Sequence, residues 1–142
     1  MNEEQIALIK SNWAAVVPIA GTAADIFYTK LFEMDPSLRT MFPEDLSEQK
    51  VKLMKTLGML VNAADHLEDM LPAVHALGER HVGYGVKEEH YPKVGAALLS
   101  TLEAGLGDAW DSEARDAWTA LYSIASGAMI DAARKAKTAA AG

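Results

Sequence analysis

The stretch from Leu67 to Gly85 constrains this chain more than any other. Leu67, Met70/Leu71, Val74, Leu77 and His81 recur at the three- and four-residue spacing of one helix face. Gly83 and Gly85 then predict the end of that helix, because glycine leaves helical geometry at little cost. An apolar stripe closed by an imidazole is half of a pocket. Other helices have to cover it.

The remaining sequence supplies them. Asn2 is a helix N-cap, with Glu3 and Glu4 suited to the positive end of the helix dipole. Ile6, Ile9, Trp13 and Val16/Val17 share a face, and Pro18 predicts the end of that segment. A second helix is expected from about Ile19 to Met34, with Ala23, Ile26/Phe27 and Lys30/Leu31 along its stripe and Phe32 beside it. Asp35 caps a short helix begun by Pro36 that carries Leu38 to Met41 and Phe42. From about Leu46 a long helix aligns Leu53, Leu57, Leu60/Val61 and Ala64, with Gln49 one turn before Leu53 on the same side. Asp65-His66 interrupts before the Leu67 stripe. Tyr91, Val94, Leu98 and Leu102 predict a helix from about Glu88 to Leu106, stopped by Gly107. The last helix, capped by Asp111 or Ser112, buries Trp118, Leu121/Tyr122, Ala125 and Met129, and is expected to fray from about residue 135. No strand alternation, repeat or linker breaks the pattern. The chain reads as all-α and as one domain over 1–142.

Its 142 residues suffice to bury about two-thirds of the surface of the unfolded chain, and half of them are hydrophobic. The absence of cysteine excludes disulfides, thiolate metal sites, iron–sulfur ligation and a cysteine nucleophile, and suits a reducing cytoplasm. A net charge of −7 with scattered basic residues argues against nucleic-acid binding. No apolar run approaches a bilayer span and the N-terminus lacks a secretion signal, so a soluble protein without stable membrane association is expected. There is no glycine-rich phosphate loop, no His-Glu-x-x-His and no nucleophile elbow. Glu88-Glu89-His90 reads as a helix start rather than a metal site.

A lone histidine on an apolar face is more often a hydrogen-bonded core residue than a ligand. His66, His75 and His90 take that reading or a solvent-exposed one. His81 differs in context: it ends a rigid stripe, and the Leu77 carbonyl one turn back can hold its other nitrogen, as a haem-iron ligand requires. Across from such a ligand, Tyr28 and Gln49 offer a phenol and an amide among Phe27, Leu31, Phe42, Leu53 and Leu57. Taken singly, Tyr28 reads first as an interfacial tyrosine and Gln49 as a solvated helix residue.

Several pieces occur in a telling order: Ile26-Phe27-Tyr28-Thr29-Lys30-Leu31-Phe32, Asp35-Pro36 leading to Phe42, and Gln49 with Leu53 one turn on. His81 with Gly85-Val86, His90-Tyr91-Pro92-Lys93-Val94-Gly95, and Asp116-Ala117-Trp118 with Tyr122 complete the set. Together they resemble the globin family, and more closely the bacterial single-domain globins and the globin domain of flavohaemoglobins. The resemblance implies the globin fold, a three-over-three helical sandwich around a haem b (iron protoporphyrin IX). It implies His81 as proximal iron ligand, Tyr28 and Gln49 as distal polar residues, Phe42 as the phenylalanine wedged on the porphyrin, and Leu53 over the iron. Leu57, Val86, Tyr91, Val94, Leu98 and Tyr122 are implied as haem-pocket contacts, and Arg80 as a partner of a haem propionate.

One departure stands out: where flavohaemoglobins pair the proximal histidine and a tyrosine with a glutamate, this chain has Ala133, with Asp131 on a different face. No flavin and nicotinamide reductase domain is read in these 142 residues, so turnover is expected to need an external reductase. The expected activity is reversible binding of O2, and of CO and NO, at a five-coordinate iron, for oxygen storage, delivery or scavenging. Alternatives are a nitric oxide dioxygenase, a gas or redox sensor, and a haem-free helical interaction module. A monomer or a homodimer fits equally.

Overall fold

A computed structural model gives the fold; it describes residues 1–83 and 87–141, with side chains described for residues 1–81 and 87–136. Every regular element among them is helical: α1 (Glu3–Val16), α2 (Ala20–Met34), α3 (Ser47–Asn62), α4 (Leu67–Gly83), α5 (His90–Leu106) and α6 (Ser112–Ala141).

Local chemistry sets the ends of these helices. Asn2 Oδ1 accepts from the Gln5 amide at 2.8 Å and Gln5 Oε1 accepts from the Asn2 amide at 3.1 Å, so Gln5 completes a reciprocal cap begun by Asn2. As expected, Pro18 ends the first helix, which stops at Val16. It sits in a single 3-10 turn, Val17–Ile19, because its missing N–H costs nothing at the start of a turn. α1 and α2 thus form a nearly continuous run, Glu3–Met34, that is long and apolar enough by length and composition to cross a membrane. That corrects the expectation of no such run. Ile9, Val16, Ala23, Phe27 and Leu31 of this run are in the core, which gives its hydrophobicity a use within the fold.

Asp35 ends α2 and caps a 3-10 helix, Pro36–Met41, by accepting from the Ser37 amide at 3.1 Å. Gly107, with φ at +54°, turns the chain out of α5. Asp111 Oδ1 accepts from the Ala114 amide at 2.8 Å to start α6. α6 extends to Ala141 through a tail rich in alanine, the best helix former.

The helices stack as α1, α3 and α4 over α2, α5 and α6. α4 lies along α6, α2 crosses α5, and α1 and α3 brace the remaining faces. Among the described residues α4 packs chiefly on α6, and α3 on α2 and α1. The core proper is centred on Trp118, Ile9, Leu31, Leu102 and Val61, with Ala114 and Ala117 letting α6 approach. The Trp118 indole N–H, fully buried there, donates to Asn12 Oδ1 of α1 at 3.1 Å.

That bond is the polar cost of burying Trp118. Replacing Asn12 by leucine keeps the branched shape but leaves the indole N–H without its acceptor. It should lower unfolding stability by about 1–3 kcal/mol in urea titrations; an unchanged midpoint would show that the pair contributes nothing.

Candidate functional site

His81 lies in the last turn of α4 and is half-buried. Its Nδ1 donates to the Leu77 carbonyl at 2.7 Å, which fixes the ring's tautomer and its direction. Burial lowers its pKa, the Leu77 bond opposes this, and the neighbouring Arg80 charge lowers it further. The imidazole is therefore neutral at neutral pH, the form that binds a metal through Nε2. Gly78, one turn earlier, is where α4 meets α6. A Cβ there would lie 2.5 Å from the Met129 carbonyl oxygen and 2.8 Å from the Met129 Cα. Only glycine lets the two backbones touch at this height, and His81 is carried on the turn so fixed.

On α2, Tyr28 is buried within an aromatic group. Its ring meets Phe27 edge-on at 5.0 Å, Phe42 edge-on at 5.6 Å and Phe32 at 5.9 Å. Its hydroxyl donates weakly, at 3.5 Å, to the backbone carbonyl of Gln49 in the first turn of α3. Burial pushes the phenol pKa up and the Gln49 side chain offsets part of this, so Tyr28 remains a protonated donor. The structure therefore brings Tyr28 and Gln49 together. Leu53 and Leu57, further along α3, are half-buried, as are Phe42 and, on α5, Val94. A small apolar cavity of about 10 Å³ lies behind Leu53 and Leu57, against Phe27, Trp13 and Leu98.

α5 contributes three further residues. Leu98 and Tyr91 are buried, and the Tyr91 hydroxyl has no hydrogen-bond partner among the described residues. Tyr122 of α6 donates to the Tyr91 carbonyl at 2.6 Å, and its ring fits only because residue 95 is glycine; a Cβ there would lie 2.7 Å from it. Tyr122 is thus held in the α5–α6 packing. Arg80 is exposed, and Val86 lies outside the described residues. Ala133 is buried, while Asp131 is exposed and pairs with Lys135 at 3.2 Å.

Three features were missed in the sequence. Arg39 ties down the chain around Phe42 and stacks on Phe32; its only signal was a cation near the end of a short helix, where carbonyls lack partners. Lys93 of α5 pairs with Asp35 at 2.5 Å and anchors that same short helix. Gly78 carried no signal, because a close approach is set by a distant partner.

Residues 25–129 match the family model Globin. The chain is 31% identical over 143 residues to neuroglobin of Danio rerio, covering 91% of this chain and 90% of that protein. It is 32% identical over 145 residues to the flavohemoprotein of Bordetella parapertussis, covering 99% of this chain and 36% of that protein, so it spans about a third of that relative's length. A bacterial globin from Campylobacter jejuni superposes with a TM-score of 0.84 at 31% identity, over 94% of this chain and 97% of that one. The chain belongs to the globin family and has its fold. Globin relatives bind haem, and the donor set here suits one: a neutral, anchored imidazole, a protonated phenol, half-buried apolar walls, and one buried hydroxyl with bonding capacity to spare.

Two tests probe this framework. Gly78→Ala would stabilise an exposed helix, but here the new methyl must displace Met129 backbone. Unfolding stability should fall by about 1–3 kcal/mol, and a rise would show that α4 and α6 separate freely. Asp35 is held down from the ordinary 3.8 to about 2, first by its hydrogen bond from Lys93 and then by those from Ser37. A lowered carboxylate pKa adds stability above the unfolded value and loses it as pH falls through the folded one. The stability gap between the parent and Lys93→Ala should therefore be constant above about pH 4 and close towards pH 2; a gap independent of pH would refute the pairing.

Proposed function

We propose that this chain is a haem protein that binds oxygen reversibly, with CO and NO as further ligands, and that it stores, delivers or scavenges oxygen in the cytoplasm. The cofactor in this reading is haem b, held from α4. One observation carries the reading: the only described imidazole anchored to a helix carbonyl, His81, is half-buried and kept neutral in the last turn of α4.

In this reading His81 holds the iron through Nε2, and Leu77 keeps the ring from turning away. When bound, the haem supplies a ferrous iron able to take a diatomic gas. Leu53, Leu57, Phe42, Val94 and Leu98 exclude water from the group, while Arg80 reaches the solvent-side carboxylates. Tyr28 keeps its proton and donates it in a hydrogen bond to a polarised guest, with Gln49 next to it. In an apolar site such a bond contributes on the order of 1–3 kcal/mol, or roughly a ten- to hundredfold slower loss of oxygen, since about 1.4 kcal/mol is tenfold.

A second reading, nitric oxide dioxygenase served by an external reductase, draws support from Tyr28 beside Gln49 and from the likeness to flavohemoproteins. Buried Ala133 and the outward Asp131–Lys135 pair weigh against it, because no described carboxylate joins Tyr91 to strengthen the histidine's electron donation.

The hemin-loaded, reduced protein should release oxygen slowly. Tyr28→Phe should speed that release at least several-fold and CO release much less, because CO is less polarised. An unchanged oxygen off-rate would remove Tyr28 from the mechanism. Mixing the oxygenated protein with nitric oxide should yield nitrate in a single turnover; sustained turnover with a reductase would favour the second reading over the first.

A further inference from the structure

Arg39 occupies an unusual position in the chain segment that presents Phe42. Its carbonyl accepts from the Phe42 amide at 3.2 Å, so the backbone already turns tightly there. Its side chain then reaches over the same turn. Nη1 donates to the Phe42 carbonyl at 3.2 Å and to the Pro43 carbonyl at 2.9 Å, and Nη2 donates to the Glu44 carbonyl at 2.9 Å. The guanidinium also lies 5.5 Å from the centre of the Phe32 ring. Phe32 and Phe42 meet edge-on at 5.6 Å, and both touch Tyr28. One cation therefore fixes two of the three rings against which the Tyr28 ring rests.

A hydroxyl donates well only along its own direction, and the direction of the Tyr28 O–H follows from its ring. The bond to the Gln49 carbonyl is too long, at 3.5 Å, to orient that ring alone. The packing of Phe27, Phe32 and Phe42 has to do it, and Arg39 holds the last two. We propose that Arg39 is a positioning residue for the Tyr28 hydroxyl, acting through Phe42 and Phe32; the proposal rests on the reading of Tyr28 as donor to a bound gas. Lysine cannot replace it. An ammonium is a single point of charge, whereas the planar guanidinium spreads its donors across carbonyls of successive residues while its face covers Phe32.

The test compares Arg39→Ala and Arg39→Lys, each in the parent and in a Tyr28→Phe background. Oxygen and CO dissociation are measured on hemin-loaded, reduced protein, and 19F NMR is recorded on hemin-free protein labelled with 3-fluorotyrosine. Both variants should speed oxygen loss by about threefold or more, as for coupled residues of one network, with little change for CO. Neither should speed it further once Tyr28 is phenylalanine. The Tyr28 fluorine signal should shift or broaden in both. Equal acceleration in the two backgrounds, or oxygen and CO rates rising together, would reduce Arg39 to a general stabiliser and overturn the proposal. So would an unmoved fluorine signal with an unchanged oxygen rate. If Tyr28→Phe itself left oxygen release unchanged, the donor reading would fall; the fluorine comparison needs no haem and would still decide whether Arg39 fixes the Tyr28 ring.

Discussion

The hydrogen bond from His81 Nδ1 to the Leu77 carbonyl is the interaction on which the rest of the structure turns. It commits one imidazole nitrogen to the helix and so assigns any metal bond to the other. It also sets the ring plane relative to α4. A free side chain at the same place would be a weak ligand, because binding would have to stop its rotation. The price of this arrangement is a buried imidazole, which stays neutral rather than charged. The ring is only as well placed as α4 is, and α4 is located by the backbone contact between Gly78 and Met129 of α6.

The surroundings of Tyr28 are built differently. At Gly58 of α3 a Cβ would meet only the Trp13 side chain, at 3.6 Å, and Leu53 and Leu57 are half-buried. Order there comes from aromatic packing, with Tyr28 at the centre of Phe27, Phe32 and Phe42. Two anchors hold that cluster from outside, the Asp35–Lys93 pair at its start and the Arg39 side chain at its end. The imidazole is thus set by main-chain contacts, and the Tyr28 hydroxyl by the packing of side chains.

Much of this was legible in the sequence. Helical periodicity gave all six helices because each turns one apolar stripe inward, fully or partly buried, and the caps at Asn2, Asp35 and Asp111 follow from side chains that accept from nearby amides. His81 and Leu77 are legible as a pair because they lie one turn apart. Pro18 is legible as the end of α1, but the 3-10 turn that leads straight on into α2 is not, since proline is tolerated where a new turn begins. Arg39, Lys93 and Gly78 were not legible. Their roles depend on the far side of a turn or on another helix, and composition or spacing does not encode that. Val86 lies outside the described residues.

The most direct measurement of the central claim is the visible spectrum of hemin-loaded, reduced His81→Gly, with and without added imidazole. If His81 holds the iron, the variant should lose the five-coordinate ferrous spectrum of the parent, and free imidazole, entering the vacated space, should restore it. A variant whose ferrous and CO spectra match the parent without imidazole would contradict the account.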